Sequence, residues 1–125
     1  MVATTGDRSA IASRWTDERT AVVTLCAAWC DTCTEFCGTF EGIAAARPES
    51  LFIWLDIEDD AEICGDIDVE NFPTLAIYRG DTLLHYGVSL AQEGAVARLI
   101  DELGAHAAPM AGAPEPVLQL PRALR

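Results

Sequence analysis

Trp29-Cys30-Asp31-Thr32-Cys33 stands three residues beyond the apolar run Ala21-Val22-Val23-Thr24-Leu25, and this junction decides how the chain is read. The run is β-rich and continuously apolar from Thr20 to Ala27, as a strand covered on both faces should be. From Asp31 to about Ala46, Cys33, Phe36, Cys37, Phe40 and Ile43/Ala44 repeat with helical spacing, and Gly38 is a possible kink. Two cysteines three apart, at the end of a buried strand and the start of a helix, can do two kinds of chemistry. They cycle between dithiol and disulfide, or they hold a metal.

Outward from the junction, Ser9 to Arg19 reads as a first helix, with Ile11 and Trp15 four apart. Leu51-Phe52-Ile53-Trp54-Leu55 is a second buried strand that ends in an acidic segment from Asp56 to Asp60. A short helix lies between Asp60 and Gly65. Pro73 to Tyr78 forms a third strand, Arg79-Gly80-Asp81 a tight turn, and Thr82 to Tyr86 a hairpin partner. Ser89 opens a last helix carrying Val96, Leu99, Ile100 and Leu103, with Gly104 at its C-terminal end. Parallel crossovers followed by an antiparallel hairpin give an α/β fold, a central mixed β-sheet flanked by helices on both faces.

Composition narrows the function. The formal net charge is −12, with twenty acidic side chains against eight arginines and no lysine. Such a surface repels nucleic acid and anionic membrane, and the lack of lysine removes Schiff-base chemistry. The N-terminal segment has no apolar signal region and no stretch is long enough to span a bilayer, so the expectation is a cytoplasmic protein with reduced thiols. Five cysteines cannot all pair with one another, which favours catalytic or metal chemistry over structural disulfides.

With these elements in order, the chain resembles the thioredoxin family. The resemblance rests on Trp29-Cys30-Asp31-Thr32-Cys33, on Phe72-Pro73-Thr74 about forty residues later, and on Gly80 and Gly87 around the hairpin. It covers roughly residues 8–104. It implies a thioredoxin-like domain over 1–104, with Cys30 as the exposed nucleophile and Cys33 as the buried resolving thiol. Pro73 would be a cis-proline facing the disulfide; an ordinary trans proline at a strand edge is the alternative. Trp29, Phe72 and Gly87 would form a flat apolar patch for the target's extended segment. The implied function is a thiol–disulfide oxidoreductase that reduces protein disulfides. It would act as a monomer, without cofactor or metal, and draw electrons from a reductase.

The residues support this chemistry independently. Unpaired backbone N–H groups and the positive dipole end at a helix start favour a Cys30 thiolate. Cys33, one turn on, is close enough to displace a product from a mixed disulfide. Asp31 and Thr32 tune the motif. Asp31 either raises the energy of the neighbouring thiolate or acts as a solvated first-turn acid.

Other positions depart from the family pattern. Its buried acid aligns with Thr24 and that acid's lysine partner with Trp54, so the proton-handling pair is missing and a water or Glu58 would have to substitute. This leaves a second class of function open, a protein-binding or chaperone-type module with little redox turnover. Cys26 and Cys37 read as buried structural cysteines and Cys64 as a possible accessory thiol. Cys26, Cys30 and Cys33 also match the spacing of an iron–sulfur cluster loop, with Cys37 as a fourth thiol, but a strand and a helix would both have to unwind for the four sulfurs to converge. His85 and His106 read as structural or solvated. The acidic residues Glu58, Asp59, Asp60, Glu62, Asp66, Asp68 and Glu70 read as a solvated face suited to a basic partner. Residues 105–125, Ala/Pro-rich at first and then carrying Val117, Leu118, Leu120 and Leu124, read as a flexible tail, with docking on the domain or on a partner as the alternative.

Overall fold

The structure is a computed structural model that describes residues 2–64, 67, 69, 71–89, 91–105, 109–110 and 112–125. The expectations placed on Gly65, Asp66, Asp68, Glu70 and His106 lie outside the described residues. Strands β1 (Val2–Ala3), β2 (Thr20–Cys26), β3 (Leu51–Asp56), β4 (Thr74–Arg79) and β5 (Thr82–Val88) form one mixed sheet in the order β1-β3-β2-β4-β5. β1 and β2 run parallel to β3, whereas β4 runs antiparallel to β2 and to β5. The helices are α1 (Arg8–Arg14), α2 (Asp31–Ala45), α3 (Ala61–Cys64), α4 (Glu93–Ala105), α5 (Glu115–Leu118) and α6 (Leu120–Leu124).

Alternation along the strands divides the core into two layers, because successive strand side chains point to opposite faces. Ala21, Val23, Leu25, Leu51, Ile53, Leu55, Ala76 and Tyr78 pack on one face with Ile11 and Trp15. Val22, Phe52, Leu75 and Ile77 pack on the other with Phe36, Phe40 and Ile43 of α2 and Val96 and Ile100 of α4. Arg47, just past α2, clamps Asp101 of α4 through two 2.9 Å bonds. That pair fixes the two long helices side by side and holds the Asp101 carboxyl below its ordinary range.

Several boundaries differ from the sequence expectation. The first helix stops at Arg14 rather than Arg19, because Trp15 turns inward and its indole N–H donates to the Gly80 carbonyl at 2.9 Å. The last helix starts at Glu93 rather than Ser89, since the Ser89 N–H donates to the Pro73 carbonyl at 3.0 Å. It runs to Ala105, so Gly104 lies inside it. α2 runs through Gly38 without interruption. β1 is too short to carry any sequence pattern.

The larger correction concerns the tail. Val117, Leu120 and Leu124 are almost fully buried in the layer that holds Trp15 and Tyr78. The Tyr78 hydroxyl donates to the Val117 carbonyl at 2.7 Å, and Arg8 donates to the Ala123 carbonyl at 2.7 Å. Arg125 pairs with Asp17 and Asp81. The tail docks on its own domain because α2 and α4 cover only one sheet face. The short α1 and α3 leave the other face in need of apolar cover.

Candidate active site

Cys30 caps the N-terminus of α2 in extended geometry (φ −91°, ψ 119°), and its carbonyl accepts from the Thr34 N–H at 3.1 Å and hydroxyl at 3.2 Å. Its own side chain makes no capping hydrogen bond, so the thiol is left for other chemistry. Cys30 is a free thiol, partly exposed, while Cys33 one turn later is buried. Asp31 and Thr32 complete the exposed first turn between them. The backbone thus presents one sulfur to solvent and the other to the core, as the motif's spacing on a helix requires.

Trp29 is 64% exposed and stands edge-on to Phe72, with ring centroids 5.4 Å apart. Its indole N–H donates to the exposed Glu58 carboxylate. Glu58 is therefore a clamp on the surface tryptophan, not a free substitute for a buried acid. The Phe72–Pro73 peptide bond is cis, and Pro73 is buried. Thr74 donates to the Asn71 carbonyl at 2.7 Å and Ser89 to that of Pro73, so this loop is held from both sides. Leu25 pairs with Thr74, which brings the ends of β2 and β4, and with them Cys26 and Pro73, to the same end of the sheet.

Gly87 lies in β5 opposite Leu75, and a side chain there would meet the His85 ring at 3.7 Å. The exposed apolar residue at that end of β5 is Val88, paired with Thr74.

Thr24 and Trp54, which replace the family's buried pair, are direct register partners on β2 and β3. Thr24 is fully buried with no protein partner for its hydroxyl among the described residues. Trp54 packs against Phe36 and Phe40 instead of reaching a carboxylate.

The structure corrects the cysteine readings. Cys33 is disulfide-bonded to Cys26, with 5.8 Å between Cα atoms, so neither is a free thiol and the expected Cys30–Cys33 bond is not the one present. A signal for this existed: Cys26 shares strand parity with Val22, and Val22 faces α2. Cys37 is exposed, since it sits roughly 70° of arc from the centre of the buried stripe of α2. Cys64 is buried, and desolvation, with Asp60 and Asp56 nearby, pushes its thiol up to about 11.

A model of the family described as thioredoxin matches residues 7–102. The chain belongs to the thioredoxin family. A Streptomyces coelicolor protein described as a thioredoxin 2 is 31% identical over 91 residues, which is 71% of this chain and 64% of that protein. The Ophiophagus hannah thioredoxin is 28% identical over 64 residues, 51% of this chain and 61% of that one. The chain therefore spans under two thirds of the length of these curated relatives. Among solved structures, the Fasciola hepatica thioredoxin superposes with a TM-score of 0.65 at 23% identity, covering 81% of this chain and 96% of that one. The oxidised thioredoxin from Plasmodium falciparum gives 0.66 at 19% identity, covering 83% and 99%. These neighbours share the thioredoxin fold. No helix among the described residues is long and apolar enough to cross a membrane.

Proposed function

We propose that this chain is a thiol–disulfide oxidoreductase that reduces disulfides in polypeptide substrates through Cys30 and Cys33. The observation that carries the reading is the free, partly exposed Cys30 at the head of a fifteen-residue helix, three residues before a buried Cys33. Family membership and the packing of Phe72 against the exposed Trp29 support it.

An extended substrate segment lies across Trp29 and Phe72 with its disulfide at Cys30. The Cys30 thiolate attacks one substrate sulfur, forming a mixed disulfide and expelling the other sulfur as a thiolate. The Cys33 thiolate then attacks the Cys30 sulfur and releases the second substrate thiol. A donor dithiol returns the protein to its reduced form. Cys33 is bonded to Cys26 in the structure, so a donor must open that bond before Cys33 can resolve anything. The acidic surface, with Asp31 and Glu58 beside the site, favours substrates with basic flanks.

The test is a peptide whose two halves are joined by one disulfide, carrying a fluorophore and a quencher, with a dithiol as donor. Wild type is expected to open it catalytically, and Cys30→Ser to lose the activity while keeping its circular dichroism. Equal rates for the two proteins would exclude the proposal. If wild type shows no turnover with any dithiol, and Cys30→Ser binds polypeptides as wild type does, the chain is a binding module.

A further inference from the structure

The Cys30/Cys33 chemistry assigns no role to Cys26, yet Cys26 is the residue bonded to Cys33. Cys26 closes β2 and faces the start of α2, whereas Cys30 caps that helix one turn before Cys33. Cys33 thus has one thiol neighbour on the sheet side and another at the helix N-terminus. Three sulfurs can form only one disulfide at a time, so two oxidised isomers share Cys33. They differ in burial: Cys26 and Cys33 are each 1% exposed, while Cys30 is partly open to solvent.

We propose that Cys26 is a third redox residue that competes with Cys30 for Cys33, moving the newly formed disulfide from the surface into the core. This rests on the reductase reading. Substrate reduction leaves a Cys30–Cys33 disulfide. The Cys26 thiolate attacks the Cys33 sulfur, the Cys26–Cys33 bond forms, and the Cys30–Cys33 bond breaks with Cys30 leaving as thiolate. Cys26 is oxidised and Cys30 reduced by the same amount; the proton lost by Cys26 is taken up at Cys30 or by water. No outside oxidant or reductant takes part. The reverse exchange brings the disulfide back to Cys30, where a donor dithiol can reach it. The buried isomer is shielded from thiols in solution, and Cys30 is its gate.

Fully reduced wild type is mixed with one equivalent of the disulfide-linked peptide, quenched in acid at intervals and alkylated with N-ethylmaleimide. Proteolysis after Trp29 and before Asp31 separates Cys26, Cys30 and Cys33 for mass spectrometry. The Cys30–Cys33 linkage is expected first, followed by its replacement with Cys26–Cys33 and a maleimide adduct on Cys30. Cys26→Ala should open one equivalent of peptide and stop at Cys30–Cys33. Cys30→Ser should form neither linkage from the peptide. A wild-type endpoint of Cys30–Cys33 with alkylated Cys26 overturns the relay and leaves the reductase reading intact. Formation of Cys26–Cys33 in Cys30→Ser at the wild-type rate also overturns it. If wild type leaves the peptide closed, the reductase reading falls and the relay with it. Should Cys26→Ala fail to fold, the wild-type time course alone decides.

Discussion

His85 is half-buried in β5, and its Nε2 has no hydrogen-bond partner among the described residues. Burial therefore holds its imidazole below the ordinary value, and it is neutral at pH 7. A depressed histidine contributes stability that is present above about pH 6.5 and lost as pH falls below it, because the unfolded chain binds the proton more readily. Wild type is expected to lose more stability than His85→Phe between pH 7 and pH 5, measured by urea denaturation at both values. Equal losses would mean that the ring is solvated. Cys64 shows the opposite sign. Its thiol is held up at about 11, so the stability it contributes is complete below about pH 9 and disappears toward pH 11. In native protein at neutral pH, maleimide should reach the exposed Cys37 and leave the buried Cys64 unlabelled until denaturant is added. Prompt labelling of Cys64 would contradict its place in the core.

At the scale of elements, two glycines make opposite predictions. Gly38 lies within α2, and a Cβ there would meet nothing within 4 Å. Gly38→Ala should therefore stabilise the protein by about 0.5–1 kcal/mol, since only the backbone freedom of glycine is removed. Gly80 turns the β4–β5 hairpin at φ +58°, where a Cβ would lie 2.7 Å from the Asp17 carbonyl oxygen. Gly80→Ala should destabilise by more than about 1 kcal/mol, since the left-handed conformation alone costs that much for a residue with a side chain. Thermal unfolding of the two variants checks both signs. The stripe on α2 was legible from Cys33, Phe36, Phe40 and Ile43, but the exposure of Cys37 was not. One position at the edge of a helical stripe goes in or out according to what packs beside it.

At the scale of the molecule, the C-terminal segment belongs to the core. Leu120 is completely buried, whereas Leu118 is 39% exposed. Leu120→Ala should cost about 2–5 kcal/mol, the usual range for a buried leucine. Leu118→Ala should change stability by less than about 0.5 kcal/mol. Urea denaturation of both variants separates the cases, because an undocked tail would make the two substitutions equally neutral. The signal for docking was present at Val117, Leu120 and Leu124, spaced three and four apart. Pro121 obscured it, since a proline reads as a helix breaker although it is tolerated in a first turn, its place in α6.

By itself, the sequence determined the order of the elements along the chain from β2 to α4, and the helix that follows Trp29-Cys30-Asp31-Thr32-Cys33. These follow from periodicity, turn chemistry and short spacings, all of which are local along the chain. Only the tertiary structure decided which sulfur Cys33 holds, where the tail goes and what Glu58 binds. Each of those depends on groups brought together by the sheet: Cys26 against α2, Val117 under Tyr78, Glu58 beside Trp29. Pattern along a chain specifies which face a residue takes within its own element. The partner across that face is set by how the elements pack.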